Sequence, residues 1–114
     1  MKLLKAFVRS DRVNDIIRSL EQGRAPGITL SRVHGVGYGY EPMLFTLSPS
    51  EYRKTLQVTK VEVVCEDGQA DELLRVLVEA ARTGSQGDGI VFVTPVERAV
   101  KIRTGAADGA ALGA

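Results

Sequence analysis

Ala81-Arg82-Thr83-Gly84-Ser85-Gln86-Gly87-Asp88-Gly89-Ile90-Val91-Phe92-Val93 runs from a helix end through a Gly-Asp-Gly turn into an apolar strand. Glycines on both sides of Asp88 let successive backbone N–H groups face one concavity, the geometry of an anion-binding nest. Arg82 and Thr83 add a cation and a hydroxyl at the helix end. Lys101-Ile102-Arg103-Thr104-Gly105 follows closely. On an extended segment Lys101 and Arg103 project from the same side and can clamp a polyphosphate. Taken singly these features are weak, because most glycine-rich turns only turn the chain. Basic residues such as Lys101, Arg103 and Arg98 more often line a solvated strand face, and Arg82 fits a contact with the helix C-terminal dipole. Gly35 and Gly37 offer a second close backbone approach. Neither glycine segment matches a P-loop, and Gly35-Val36-Gly37-Tyr38-Gly39 lacks the dinucleotide-binding spacing.

Working outward, the 114 residues are 44% hydrophobic and 25% charged, which suits one compact domain. Fifteen basic against 14 acidic residues leave a net charge of +1, with no basic stripe that would suggest nucleic acid. No apolar run approaches the roughly 18 residues of a membrane span, and the N-terminus lacks a signal-peptide core. These features imply a cytoplasmic location without membrane insertion. One cysteine excludes an internal disulfide, and one histidine leaves few options for a metal site. His34 reads as a polar strand residue and Cys65 as core.

Residues 2–9 alternate as a strand. Asp11 is placed to cap a helix whose face is Val13, Ile16, Ile17 and Leu20. Gly23 and Pro26-Gly27 end it. Ile28 to Val36 forms a second strand and residues 58–65 a third, and Asp67-Gly68 turns the chain into a second helix. Leu73, Leu74, Leu77, Val78 and Ala81 make that helix's apolar face. Ile90 to Val93 is the fourth strand. This β-α-β-β-α-β order predicts an α+β, ferredoxin-like domain with both helices on one face of an antiparallel sheet. Val63-Val64-Cys65 and Ile90–Val93 are apolar on both strand faces. Two helices cover only one face, which predicts a homo-oligomer.

Gly37 to Leu56 shows no clear period and contains two prolines. Its Tyr38, Tyr40, Met43, Phe45 and Tyr52 are material for a partner or ligand surface; the alternative is an added hairpin packed on its own domain. The domain is expected over 1–105, with 106–114 a flexible tail rich in small residues.

Across nearly its whole length the chain resembles the PII signalling proteins. Gly27-Ile28-Thr29, Val33-His34-Gly35-Val36-Gly37, Lys60-Val61-Glu62-Val63-Val64, Ala81-Arg82-Thr83-Gly84, Gly87-Asp88-Gly89 and Val96 to Gly105 carry the likeness. The resemblance implies a homotrimer with ATP or ADP, and Mg with ATP, in each cleft between subunits. It implies that Gly35, Gly37, Gly87, Asp88 and Gly89 hold phosphates from one subunit. Thr29, Glu62 and Val64 would then meet adenine and ribose, while Lys101 and Arg103 reach the phosphates from the neighbour. Residues 37–56 would form a T-loop-like insertion between strands 2 and 3 that controls an enzyme, a transporter or a transcription regulator.

The chain also departs from that pattern. Ile90 stands where PII proteins carry Lys or Arg, and Lys101 replaces an arginine, losing bidentate geometry. Gly39 and Val58 replace the glutamine and lysine that serve 2-oxoglutarate, and the modified Tyr-Arg-Gly-Ala-Glu-Tyr motif is absent. These departures argue against 2-oxoglutarate sensing and uridylylation, and fewer cations favour ADP or AMP against ATP. The expectation is a non-enzymatic, nucleotide-binding regulator of nitrogen or related nutrient use. Alternatives are a structural trimer without nucleotide binding, or a PII-like regulator of bicarbonate or metal transport.

Overall fold

In the computed structural model, which describes residues 1–33 and 58–113, β1 (Lys2–Arg9) runs through the middle of a four-stranded sheet. Its residues alternate between two environments. Leu4, Ala6 and Val8 are buried, while Leu3, Lys5, Phe7 and Arg9 lie on the opposite face. A 3-10 turn (Ser10–Arg12) then leads into α1 (Val13–Gln22), which buries Ile16 and Leu20. Asp11 therefore sits inside the entry turn and does not cap the helix. The N-cap position falls to Arg12, with no side-chain cap. Helix α1 ends at Gly23, and Arg24 takes the left-handed conformation (φ 62°) that lets the Ala25 N–H return to the Leu20 carbonyl at 2.9 Å.

Strand β2 (Thr29–Val33) pairs antiparallel with β3 (Val58–Cys65), and β3 pairs antiparallel with β1. Helix α2 (Asp67–Ala81) follows at once. Asp67 and Gly68 belong to its first turn and are not a preceding loop. Glu66 is the N-cap, sharing a capping box with Gln69. The Gln69 amide also donates to the Arg24 carbonyl at 3.1 Å, tying this helix start to the α1–β2 turn. Strand β4 (Gly89–Pro95) closes the sheet against β1, giving the order β2-β3-β1-β4. That order, with both helices packed on one face, is the ferredoxin-like fold.

The core lies between helices and sheet. Leu4, Ala6, Val8, Val61, Val63 and Cys65 meet Ile16, Leu20, Ala70, Leu73, Leu77, Ala80 and Ala81. Burial pushes the Cys65 thiol pKa up, consistent with a packing role. Leu74 and Val78, on the predicted apolar face, are only half-buried. They border a groove shared with Asp88, Ile90 and Val91. The other sheet face carries Leu3, Phe7, Val64, Ile90 and Phe92 with Lys5, Lys60 and Glu62 by cross-strand register. Phe7 and Phe92 meet edge to face, ring centroids 6.4 Å apart, and Phe92 keeps 40% of its surface exposed. Neither α1 nor α2 covers this face, since both pack in the core on the other side.

After β4 the chain does not continue as an extended strand. Lys101 to Gly105 closes a turn, with the Gly105 N–H donated to the Lys101 carbonyl at 2.8 Å, so Lys101 and Arg103 are not strand neighbours. Asp108–Leu112 then forms a 3-10 turn in the segment expected to be a tail. The interval 37–56, with Tyr38, Tyr40, Met43, Phe45 and Tyr52, lies outside the described residues. So do His34, Gly35, Gly37 and Gly39.

Candidate functional site

Asp88 organises the turn between α2 and β4. Its Oδ2 accepts the backbone N–H groups of Thr83 and Gly84, each at 2.8 Å. Its Oδ1 accepts the Thr83 hydroxyl and the Arg9 Nε, the latter at 3.1 Å. Burial alone would raise the carboxyl's pKa. Donation from Thr83 and Gly84 and the Arg9 guanidinium outweighs it and holds the group well below the ordinary carboxylate range. Four donors fill the carboxylate's lone-pair positions. Asp88 thus acts as a brace for residues 83–88, and the chemistry of this donor set leaves it poorly suited to ligate Mg.

Arg9 completes the brace from the end of β1, its Nη2 donating to the Gln86 carbonyl at 2.5 Å. Close approach demands the glycine after Asp88, and a left-handed backbone favours glycine on both sides of it. A Cβ at Gly87 would sit 3.2 Å from Arg9 Nη2, and one at Gly89 would sit 1.8 Å from the Phe7 carbonyl oxygen. Both have positive φ, 93° and 107°. Arg82 is the exposed C-cap of α2. The carbonyl near that helix end is met by a different residue: Arg12 donates Nε and Nη2 to the Ala80 carbonyl at 2.9 and 2.7 Å. Sequence reading missed both Arg9 and Arg12. Alternation along β1 put Arg9 on the open face, but nothing local tied it to residues 86–88.

The other predicted residues gather elsewhere. Thr29 and Glu62 are register partners across β2 and β3, and Val64 lies two residues further along the same face of β3. Together with Leu3, Gly27 and Lys101 they line a cavity of about 530 Å³. Arg82, Asp88 and Gly89 line a separate groove of about 370 Å³ beside β4. Both volumes fall in the ordinary range for small-molecule sites, ~300–1,000 Å³. Strand β1 separates β3 from β4, so the two groups sit toward opposite sides of the sheet. Arg103 is exposed on the 101–105 turn. Among the described residues no cluster of His, Cys, Asp or Glu could hold a metal ion.

A family described as Nitrogen regulatory protein P-II matches residues 1–106. The chain belongs to the P-II family. Among its relatives are the Nitrogen regulatory protein P-II of Microchaete diplosiphon, 39% identical over 106 residues covering 92% of this chain and 94% of the relative. The protein of the same name from Synechocystis sp. is 38% identical over 109 residues, 95% and 96% of the two chains. Nitrogen regulatory protein GlnK2 of Haloferax mediterranei is 36% identical over 106 residues, 92% of this chain and 85% of the relative. The ferredoxin-like fold described above is the P-II fold, and the trimer is that family's usual assembly. P-II proteins are signalling regulators that respond to adenine nucleotides and act on partner proteins. No helix among the described residues is long and apolar enough to cross a membrane.

Proposed function

We propose that this chain is a P-II regulator of nitrogen or related nutrient use that binds ATP or ADP between subunits. The single observation that carries the reading is the division of the predicted residues between two sides of one sheet. Arg82, Asp88 and Gly89 line one groove, while Thr29, Glu62, Val64 and Lys101 line another cavity. One chain cannot bring them together, but a neighbour packed on the open sheet face can.

In this arrangement Thr29, Glu62 and Val64 receive adenine and ribose, Lys101 and Arg103 reach the phosphates, and the braced 83–89 turn of the adjacent subunit cradles them. Asp88 contributes through its backbone and by holding the turn. Residues 37–56 carry the signal to an enzyme, a transporter or a transcription regulator. Nucleotide must favour one loop state over another to do so. Where ATP is bound, Mg would meet phosphate oxygens; the braced Asp88 carboxylate does not serve it. Ile90 and Lys101 reduce the cationic charge and bidentate contacts available to a third phosphate, which favours ADP or AMP.

A second reading, a trimer that assembles without nucleotide, draws on the same Ile90 and on the Lys101 ammonium's contact with the Gly113 carbonyl. Calorimetric titration with ATP, ADP and AMP, with and without 2-oxoglutarate or bicarbonate, separates the two. Heat with an adenine nucleotide and no enhancement by 2-oxoglutarate is expected. Silence with all three nucleotides would leave only the structural trimer.

A further inference from the structure

The last residues fold back on the cavity that holds Thr29, Glu62 and Val64. Val100 bridges Ala107, the Lys101 N–H donates to the Ala106 carbonyl at 2.8 Å, and the Asp108 N–H donates to the Ala99 carbonyl at 2.7 Å. The Ala99 N–H returns a bond to Asp108 Oδ1 at 3.1 Å. Asp108 accepts a left-handed backbone, φ 54°, which Asp tolerates because its side chain bonds locally. The turn so made sends Ala111, Leu112 and Gly113 across as one wall of the cavity. There the Gly113 carbonyl accepts a hydrogen bond from the Lys101 ammonium.

We propose that residues 106–113 form an autoinhibitory strap, in which the Gly113 carbonyl and a nucleotide phosphate compete for Lys101. The inference rests on the nucleotide reading above. The strap is suited to displacement. Its 3-10 turn buries no residue, and its two side-chain ties are solvent-exposed hydrogen bonds. A phosphate oxygen is charged and makes a stronger partner for an ammonium than a neutral carbonyl does. Binding would therefore release the tail and alter the surface beside β2, the strand that leads into the 37–56 interval.

Two substitutions outside the binding residues release the strap to different degrees. Asp108→Ala removes the side-chain acceptor and strains the left-handed backbone, whereas Asp108→Pro also removes the N–H and cannot adopt the native φ. ADP affinity measured by calorimetry is expected to rise from wild type through Asp108→Ala to Asp108→Pro, the last roughly three- to tenfold tighter. Apparent affinity is lowered by the fraction of molecules closed, so opening them restores it. In the wild type, saturating ADP is expected to speed hydrogen exchange at the Asp108 amide. Equal or weaker affinity in the variants, with the wild type binding ADP, overturns the strap and leaves the nucleotide reading standing. No heat in any chain overturns the nucleotide reading and the competition with it. Should the variants fail to fold, wild-type exchange decides: an Asp108 amide as slow with ADP as without it overturns the strap.

Discussion

A methyl group at position 89 would overlap the Phe7 carbonyl, since its carbon would lie 1.8 Å from that oxygen at a φ of 107°. Gly89→Ala must therefore shift β4 away from β1. It is expected to destabilise the chain by about 3 kcal/mol or more, read as the urea midpoint. A loss below ~1 kcal/mol would mean the strand start slides at little cost. Its neighbour Asp88 makes a prediction with a sign. The folded carboxyl titrates below an ordinary one, whose pKa is about 4. Its stabilising contribution is thus complete above about pH 4 and is lost as pH falls from there. Asp88→Asn is expected to cost about 1–2 kcal/mol at pH 7, the side chain being partly exposed. The gap from wild type should close as the medium is acidified below about pH 4, and a gap independent of pH would remove the charge from the account. The sequence named Gly87, Asp88 and Gly89 as a backbone anion cradle. It did not reveal that the carboxylate turns back on Thr83 and Gly84, nor that Arg9 arrives from a distant strand to complete the set.

At the scale of elements, periodicity was the reliable signal. The alternation of residues 2–9 and 58–65 marks β1 and β3 with their observed bounds, since each strand has one face in the core. Ends were harder to read. Asp11 has the chemistry of a cap, yet the chain enters α1 through a 3-10 turn that leaves Arg12 at the N-cap. Lys101 and Arg103 have strand spacing, yet the Lys101–Gly105 hydrogen bond folds them into a turn. Helix ends and turns are decided by which partner satisfies a few backbone groups, and those partners come from elsewhere in the chain. Arg12 shows the consequence. Its two bonds to the Ala80 carbonyl join the entry of α1 to the end of α2. Arg12→Met, which keeps most of the stem, is expected to cost about 1–2 kcal/mol in thermal or chemical unfolding. An unchanged midpoint would show that water satisfies Ala80 equally well.

For the whole molecule, the open sheet face is the surface expected to carry the assembly. Phe92 is 40% exposed, packed on Phe7 and flanked by Ile90 and Thr94 along β4. Apolar surface of this kind on a sheet is ordinarily covered. The chain is expected to elute as a trimer by size exclusion with light scattering. Phe92→Glu should yield monomer while the circular dichroism of the fold persists, because this side chain lies outside the helix–sheet core. A variant that stays trimeric would place the interface on another face. Nucleotide binding should fall with the trimer, since the two halves of the proposed site lie toward opposite sides of one sheet.

The sequence by itself determined the element order, the ferredoxin-like fold, the two-faced apolar strands and membership of the P-II family. All of these are written in patterns between residues close along the chain. Tertiary structure alone decided that Arg9 braces Asp88, that Arg12 meets the end of α2, that Lys101 sits with Thr29, Glu62 and Val64, and that Gly113 reaches Lys101. Each joins residues from different elements through one or two hydrogen bonds or a shared cavity wall, a coincidence in space that no periodicity encodes.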